Sequence, residues 1–278
     1  MQLRQVYIEI TNGCNLSCSF CIQKHEKVRF LNVEQFRFIL KQVKPYTRYV
    51  YLHILGEPLM HPQLKEILTI CKEEEMYVQL TTNGTLLKDQ VQLLQELPVR
   101  QINISIHSFS QQDSKIQEQY LKNVLESADL LSEKTFISYR LWCLKDGKLD
   151  SEANKIYEQI LSHYHCDTLS KNSAVAKNRY VSFDEVFEWP SLDHSVLATR
   201  GRCRGLLHMI GILSSGDVVP CCLDAYGQAK LGNIFEEDLD VILKNEQANQ
   251  IRQGFLENTL YAPLCQRCQY RLRFDKKN

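Results

Sequence analysis

Residues 6–21 read Val-Tyr-Ile-Glu-Ile-Thr-Asn-Gly-Cys-Asn-Leu-Ser-Cys-Ser-Phe-Cys, a strand-like segment that runs into three closely spaced cysteines. Apolar and polar residues alternate from Val6 to Thr11, which is typical of a β-strand with one buried face. Cys14, Cys18 and Cys21 follow in the next loop. Because iron–sulfur clusters are held by closely spaced thiolates, this spacing favours a cluster-binding loop at the carboxyl end of a first strand.

Strand-like and helical patterns continue to alternate along the chain to about residue 165. Further strands are predicted at 49–55, 77–83, 101–107 and 136–144, and a sixth at 179–188. The helices between them are predicted at 33–44, 62–75, 87–97, 114–133 and 151–164. Such alternation is typical of a parallel sheet with crossover helices, which places the chain in the α/β class.

The first five predicted strands share one feature, a face that is largely polar. The fourth strand, for example, alternates Ile102, Ile104 and Ile106 with Asn103, Ser105 and His107. Parallel strands that are covered on both faces usually read as continuous apolar runs. We therefore expect a curved sheet, a partial TIM-like (βα)6 barrel, whose helices lie outside and whose concave face holds a ligand.

Composition limits the class of protein. Lys plus Arg and Asp plus Glu are 33 each in 278 residues, and this balance argues against a partner that is a nucleic acid or a membrane surface. No apolar run is long enough to span a membrane, and the amino-terminal residues lack the apolar block of a signal peptide. The expected location is the cytoplasm, where eleven cysteines are more readily explained as metal ligands or reactive thiols than as disulfides.

The cysteine loop has one alternative reading from the residues alone. A structural zinc site needs four ligands, and His25 would be the nearest candidate for the fourth.

Cys14-x3-Cys18-x-Phe20-Cys21 after a first strand resembles the radical S-adenosylmethionine (radical SAM) enzymes. The resemblance implies a 4Fe–4S cluster held by the three cysteines, with its fourth iron open to S-adenosylmethionine. Electron transfer from the cluster would give a 5′-deoxyadenosyl radical that removes a hydrogen atom from a substrate. Phe20 would lie beside the cluster and the adenine.

Gly56-Glu57-Pro58 follows the second predicted strand and resembles the Gly-Glu-Pro motif of the same family. The resemblance implies that Glu57 accepts hydrogen bonds from the methionyl ammonium of S-adenosylmethionine, a charge-assisted contact. Gly56 would let the backbone approach the ligand closely.

Polar residues at the ends of the third and fourth strands complete the expected cofactor site. By resemblance Asn83, Ser105 and His107 contact the ribose, carboxylate or substrate, although each could equally be a satisfied polar group in a wet lumen. Many relatives carry an arginine after the fourth strand, whereas this chain has none between Arg100 and Arg140. Arg140 or Lys115 is the expected substitute for holding the carboxylate.

A second group of cysteines predicts a separate carboxyl-terminal module. Cys203, Cys221 and the pair Cys265 and Cys268 surround a predicted hairpin, 206–213 with 218–222, whose turn is Ser214-Ser215-Gly216-Asp217. The pattern resembles the SPASM/twitch extension, and four ligands imply the twitch version with one auxiliary 4Fe–4S cluster. A zinc ribbon is the alternative. The predicted domains are 1–195, the partial barrel, and 196–278, the auxiliary module.

Cys222 directly follows a predicted cluster ligand. The same Cys-Cys pair occurs in some radical peptide epimerases, so the resemblance implies that Cys222 could donate a hydrogen atom. A thiol that only packs the hairpin is the simpler alternative.

The leading functional prediction is a radical SAM enzyme that modifies a peptide, as a maturase or epimerase. One alternative is a twitch-type dehydrogenase that oxidises a carbinol of a sugar-like metabolite, and another is a zinc-binding interaction protein without catalysis. A one-electron reductant such as a flavodoxin or ferredoxin is the expected partner. Val6 already begins the first strand, so a peptide would need a separate recognition partner or a direct groove.

Overall fold

The structure, a computed structural model, describes residues 1–22, 27–111, 114–168 and 173–275. His25, the alternative zinc ligand, lies outside these residues, and so does the side chain of Lys115.

Strands and helices alternate over most of the described chain. The strands are β1 (Gln5–Ile8), β2 (Tyr49–Tyr51), β3 (Tyr77–Thr82), β4 (Gln101–Ile104), β5 (Phe136–Leu144), β6 (Ser173–Ala176), β7 (Arg179–Glu185), β8 (Met209–Ile212), β9 (Asp217–Val219) and β10 (Gly232–Asn233). The α-helices are α1 (Val33–Val43), α2 (Leu64–Glu73), α3 (Val91–Glu96), α4 (Ser114–Leu131), α5 (Ser151–Tyr164), α6 (Leu239–Lys244) and α7 (Glu246–Leu256). Asn32 and Gln35 form the reciprocal capping box that begins α1, since each side chain accepts from the other's backbone N–H.

The chain forms two compact units. The first unit comprises residues 1–13, 20–56 and 187–278, and the second comprises residues 14–19 and 57–186.

In the first unit the strand order is β10-β9-β8-β1-β2. β1 runs parallel to both β2 and β8, while β8 and β9 form the predicted antiparallel hairpin. The hairpin therefore extends the sheet of β1, a pairing between distant parts of the chain that local patterns do not reveal. The predicted domains 1–195 and 196–278 stay a prediction. The two compact units divide the chain elsewhere, because β8 pairs with β1 and both strands lie in the first unit.

In the second unit the strand order is β3-β4-β5-β7-β6. β3, β4, β5 and β7 are parallel, and β7 corresponds to the predicted sixth strand. β6, which pairs antiparallel with β7, was not predicted. The mixed α/β class with parallel strands and an open sheet confirms the predicted fold class.

Apolar residues of the strands form the core, as their alternation predicts. Val6, Ile8, Ile102 and Ile104 are completely buried. On the opposite face Asn103 is also completely buried, and its side-chain amide donates to the backbone carbonyl of Leu80 at 3.1 Å. A buried amide that is satisfied in this way stabilises the sheet without requiring a ligand.

Within the described residues, no helix is both long and apolar enough to cross a membrane.

Candidate functional site

The loop that precedes Cys14 is fixed against residues 27–29 in the first unit. The Thr11 hydroxyl donates to the carbonyl of Arg29 at 2.8 Å and accepts from the N–H of Gly13 at 3.0 Å. The Asn12 side chain accepts from the N–H of Arg29 at 2.8 Å. Side chains of Thr and Asn that bond to nearby backbone groups are typical of ordered turns. Residues 11–13, which precede Cys14, therefore form one ordered turn.

Gly56 lies against the backbone of this loop. Its φ is +78°, and a Cβ atom added there would lie 2.8 Å from the carbonyl oxygen of Gly13, so both backbone conformation and space require glycine. The close approach of Gly56 to a ligand, which the family resemblance implies, stays a prediction; in the structure Gly56 lies close to the chain's own backbone.

Glu9 is a buried carboxylate on the polar face of the first predicted strand. It is completely buried, and its Oε2 accepts from the N–H of Leu55 at 3.2 Å. Its Oε1 accepts from the hydroxyl of Ser214 at 2.8 Å and from the N–H of Ser214 at 3.3 Å. Glu9 thus joins the start of the Gly-Glu-Pro loop to the turn between β8 and β9. An acidic residue at the end of a buried strand was the signal for this role.

Glu57, in the second unit, is held by the chain on both carboxylate oxygens. Oε1 accepts from the N–H of Leu59 at 3.0 Å, Oε2 accepts from the N–H of Asn83 at 2.7 Å, and the Thr82 side chain adds a third bond. The side chain is 1% exposed, and desolvation raises its pKa to about 7 although these hydrogen bonds oppose the shift. Since a carboxylate offers about four acceptor positions, roughly one remains.

Asn83 lies beside the thiol of Cys14 in the second unit. The Cys14 sulfur accepts from the side-chain amide of Asn83 at 3.7 Å and from the N–H of Leu16 at 3.5 Å. The same amide donates to Asn15 at 2.9 Å, and the Asn83 oxygen accepts from the hydroxyl of Thr85 at 2.7 Å. Desolvation raises the pKa of Cys14, whereas the two N–H donors favour its thiolate. N–H donors aimed at a sulfur are the usual support of a cluster ligand.

The main chain at Asn83 is fixed from a second side. Its carbonyl oxygen accepts from the hydroxyl of Tyr120 at 2.7 Å and from that of Ser108 at 3.3 Å. Ser105 is half-buried, and its N–H donates to the carbonyl of Thr82 at 2.8 Å. Glu57, Asn83 and Cys14 are thus brought together, and Tyr120, on α4, supports them although no sequence pattern indicates this role.

His107 lies on the 3-10 turn Ile106–Gln111, which follows β4, and its neighbour Arg140 lies on β5. Nδ1 of His107 lies 2.9 Å from the carbonyl oxygen of Arg140, and since a carbonyl can only accept, Nδ1 is the donor of this hydrogen bond. Burial lowers the pKa of His107, and the Arg140 charge lowers it further. The Arg140 guanidinium lies 4.3 Å from the ring centre of Trp142, and its Nη1 donates to Thr81 at 3.4 Å. A guanidinium held in this way is suited to a carboxylate.

Cys21 and Cys222 pack against one apolar cluster of the first unit. The cluster consists of Ile54, Leu55, Leu213, Val219 and Ala225, and both cysteines are half-buried beside it. Phe20, which directly precedes Cys21, is 39% exposed. Pro58, which directly follows Glu57, begins the 3-10 turn Pro58–Met60. The structure therefore gathers the last cysteine of the loop and the second cysteine of the Cys-Cys pair around the same side chains.

The four auxiliary cysteines are electrostatic neighbours in the first unit. Burial raises the pKa of Cys221 far above its usual range, and the negative charges of Cys222, Cys203, Cys265 and Cys268 raise it further. Burial also raises the pKa of Cys265, and the negative charges of Cys203 and Cys268 raise it further. These thiols would therefore ionise only beside a positive centre, which the iron of an iron–sulfur cluster or a zinc ion supplies.

Two observations decide whether these residues fit a cluster. Within residues 1–22, 27–111, 114–168 and 173–275, no three His, Cys, Asp or Glu side chains are already arranged to hold a metal ion. The buried Arg271 beside the auxiliary thiols nevertheless has two nitrogens, Nε and Nη2, without a hydrogen-bond partner. Unsatisfied buried donors beside these thiols fit a bound group that accepts hydrogen bonds, as the sulfur atoms of an iron–sulfur cluster do. The cysteines are consistent with cluster ligands on this ground.

Comparisons with known proteins agree with the site. The sequence profile of the radical SAM superfamily matches residues 8–160, more than half of the chain, and that of the SPASM iron–sulfur cluster-binding domain matches residues 203–269. A tungsten-containing aldehyde ferredoxin oxidoreductase cofactor-modifying protein of Pyrococcus furiosus is 31% identical over 99 residues, 34% of this chain and 27% of that protein. The chain thus spans about a quarter of that relative's length.

Solved structures share the fold over nearly the whole chain. BtrN in complex with AdoMet and 2-DOIA is similar with a TM-score of 0.62 at 15% identity, covering 97% of this chain and 94% of BtrN. SuiB of Streptococcus suis bound to the precursor peptide SuiA is similar with a TM-score of 0.61 at 17% identity, covering 100% and 74%. The chain therefore belongs to the radical SAM superfamily and has a SPASM domain, so that its cofactors are a 4Fe–4S cluster with S-adenosylmethionine and auxiliary iron–sulfur.

Proposed function

We propose that this chain removes a hydrogen atom from a bound peptide and that Cys222 returns a hydrogen atom to the resulting carbon radical. One observation carries the proposal. Cys222 packs against the same apolar cluster as Cys21, the third cysteine of the radical SAM loop. A thiol close to the radical-generating loop can reach the substrate carbon on which the radical forms.

Each residue of the cofactor site then has a defined task. When bound, the cluster with S-adenosylmethionine supplies the 5′-deoxyadenosyl radical. Cys14, Cys18 and Cys21 are the proposed ligands of this cluster. The remaining acceptor position of Glu57 holds the methionyl ammonium, and Arg140 holds the carboxylate.

Further polar residues complete that site in the proposal. Asn83 donates to the thiolate of Cys14, which keeps the first cluster ligand ionised. Gly56 allows the loop to approach residues 11–13, and Pro58 begins the turn that fixes Glu57. Phe20 covers the adenine, while Ser105 and His107 face the ribose or the substrate.

The auxiliary cluster is proposed to be a single 4Fe–4S centre. Cys203, Cys221, Cys265 and Cys268 supply four thiolates, the number that one cubane requires. Cys221 would fix the position of its neighbour Cys222 in the chain.

After Cys222 has given up its hydrogen atom, solvent and a reductant together restore the thiol. The S–H bond of Cys222 breaks, the hydrogen atom forms a C–H bond on the opposite face of the substrate carbon, and a thiyl radical remains. One electron from a flavodoxin- or ferredoxin-like reductant and one proton from water restore the thiol. Because a thiol proton exchanges with solvent, the product acquires deuterium when the reaction runs in heavy water.

The peptide substrate is supported by the likeness to SuiB, whose structure is bound to a precursor peptide. The likeness covers the whole of this chain, which makes a peptide the first substrate class to test. The natural probes are short peptides encoded by neighbouring genes.

The experiment compares Cys222→Ala with the parent protein in heavy water. The parent should give a peptide product one mass unit heavier per modified residue, with inverted chirality at that residue. Cys222→Ala should still form 5′-deoxyadenosine but give no inverted product. Cys166→Ala is the matched control, because Cys166 is also half-buried but its thiol donates to the backbone carbonyls of Tyr164 and Val175. Normal turnover by Cys222→Ala with intact clusters would exclude the donor role.

A dehydrogenase acting on a carbinol of a sugar-like metabolite is the second candidate. The likeness to BtrN, seen in complex with AdoMet and 2-DOIA, favours it because both chains are covered almost completely. In that reaction the substrate radical would give one electron to the auxiliary cluster and its hydroxyl proton to solvent, so that a carbonyl forms and no hydrogen atom returns. Cys222→Ala would then keep its activity, and no solvent deuterium would enter the product.

A further inference from the structure

A fully buried arginine lies on the 3-10 turn Tyr270–Phe274, just after the last two auxiliary cysteines. Arg271 is 1% exposed, and its Nη1 donates to both carboxylate oxygens of Asp275 at 2.8 Å. Gly201 makes room for it, because a Cβ atom there would lie 2.7 Å from the guanidinium carbon. Arginine is almost never fully buried unless it is paired, so a buried guanidinium with an incomplete set of partners needs a specific cause.

One edge of this guanidinium has no partner among the described residues. Nε and Nη2 are buried and make no hydrogen bond, although together they carry three of the five N–H donors of the side chain. A buried donor on a charged group that stays unpaired is costly in free energy. Such groups in native proteins usually face a ligand, an ion or ordered water.

The guanidinium of Arg271 lies close to chain segments that carry auxiliary cysteines. Arg271 follows Cys268 by three residues, and Gly201, where an added Cβ atom would touch the guanidinium, precedes Cys203 by two. The thiol of Cys268 also accepts from the backbone N–H of Arg271. The guanidinium therefore lies beside the group of cysteines, whereas its Nη1 is already bonded to Asp275.

We propose that the Nε–Nη2 edge of Arg271 donates hydrogen bonds to sulfur atoms of the auxiliary cluster and thereby raises its reduction potential. The inference rests on the assignment of Cys203, Cys221, Cys265 and Cys268 as ligands of an iron–sulfur cluster. It holds for either candidate reaction, because it concerns the cluster and not the substrate.

The direction of the effect follows from charge. A 4Fe–4S cluster takes up one electron on reduction, and its net negative charge increases by one. Hydrogen bonds to the sulfurs and a nearby positive charge stabilise the reduced form more than the oxidised form. Burial strengthens the effect because little solvent screens it. Asp275 lies on the other side of the guanidinium and offsets part of its charge.

The test is a redox titration of the complete protein, followed by electron paramagnetic resonance. Added S-adenosylmethionine changes the signal of the barrel cluster alone, which assigns the second signal to the auxiliary cluster. Arg271→Gln should favour the oxidised auxiliary cluster at least about tenfold, a shift of 59 mV to lower potential for one electron. Arg271→Lys, which keeps the charge but loses the planar fork, should shift in the same direction by less.

Asp275→Asn supplies a second variant that leaves Arg271 in place. Its side-chain oxygen can still accept from Arg271, but the negative charge is gone, so the auxiliary potential should rise. Damage to the fold would not move the potential in opposite directions in the two variants. Arg273→Gln is the control, because it removes an exposed positive charge from the same turn and should leave the potential unchanged.

Each outcome is decisive. An unchanged potential in Arg271→Gln, at full iron content, would overturn the role of Arg271 while leaving the auxiliary cluster in place. A parent protein with zinc and no second signal would overturn both the auxiliary cluster and the inference that rests on it. Equal shifts in Arg271→Gln and Arg273→Gln would show only a general effect of net charge.

Discussion

Replacing Glu57 by Gln tests the proposed cofactor site most specifically. The exchange keeps the size of the side chain but turns one carboxylate oxygen into an amide donor. That donor would face the N–H of Leu59 or of Asn83, which now donate to Oε1 and Oε2 at 3.0 and 2.7 Å. One buried N–H is left without an acceptor, so the free energy of unfolding should fall by about 1–3 kcal/mol.

The loss of the negative charge of Glu57 should also weaken the binding of S-adenosylmethionine. A hydrogen bond to a charged group contributes about 1.5–3 kcal/mol, so the dissociation constant of S-adenosylmethionine should rise roughly 10- to 150-fold. Isothermal titration calorimetry on the anaerobic, cluster-loaded protein measures it. Glu34→Gln, an exchange in the first turn of α1, is the control with the same loss of charge.

The pH dependence gives a second measure of the same contact. The pKa of Glu57 is raised to about 7, so lowering the pH below about 7 protonates the acceptor that the ammonium needs. The affinity of the parent should fall as the pH is lowered from about 7 to about 5.5, by up to tenfold per pH unit, whereas Glu57→Gln should show no such slope. An unchanged dissociation constant in folded Glu57→Gln, or an equal slope in both proteins, would remove Glu57 from the ammonium site.

Three further predictions concern the auxiliary cluster and the loops. The double variant Cys265→Ala with Cys268→Ala should lose about half of the iron and all product formation, but should still cleave S-adenosylmethionine; iron equal to the parent would show that the pair binds no cluster. Gly56→Ala should lower the free energy of unfolding by more than Gly147→Ala, because both have positive φ but only Gly56 is crowded by backbone; equal effects in chemical denaturation would show that the close approach is unimportant. Glu9→Gln should cost about 1–3 kcal/mol of stability, since one of the donors at Leu55 or Ser214 loses its acceptor; an unchanged unfolding midpoint would contradict this.

Local patterns predicted most of the helices and strands. β5 and α5 begin and end at the predicted residues, because a strict apolar alternation and an Asp150 cap define them. β1 and β2 are shorter than predicted, since the chain leaves the ladder after Ile8 and Tyr51. Alternation continues past the last paired residue and does not show where pairing ends.

Contacts between distant residues could not be predicted. Nothing near Met209 indicates that β8 pairs with β1, and nothing in the Gly-Glu-Pro motif shows that Glu57 accepts from Asn83. Arginine is rarely buried, so nothing in the sequence singles out Arg271, and only the structure shows the incomplete partners of its guanidinium. The chemistry of Cys14, Cys18 and Cys21 was predictable because the three cysteines lie within one short segment of chain.

Analysis of iron, acid-labile sulfide and zinc in the anaerobically purified protein tests the two-cluster account most directly. The account predicts about eight iron and about eight sulfide per chain, from one 4Fe–4S cluster in the radical SAM loop and one in the auxiliary site. Zinc at both groups of cysteines with no sulfide would contradict it.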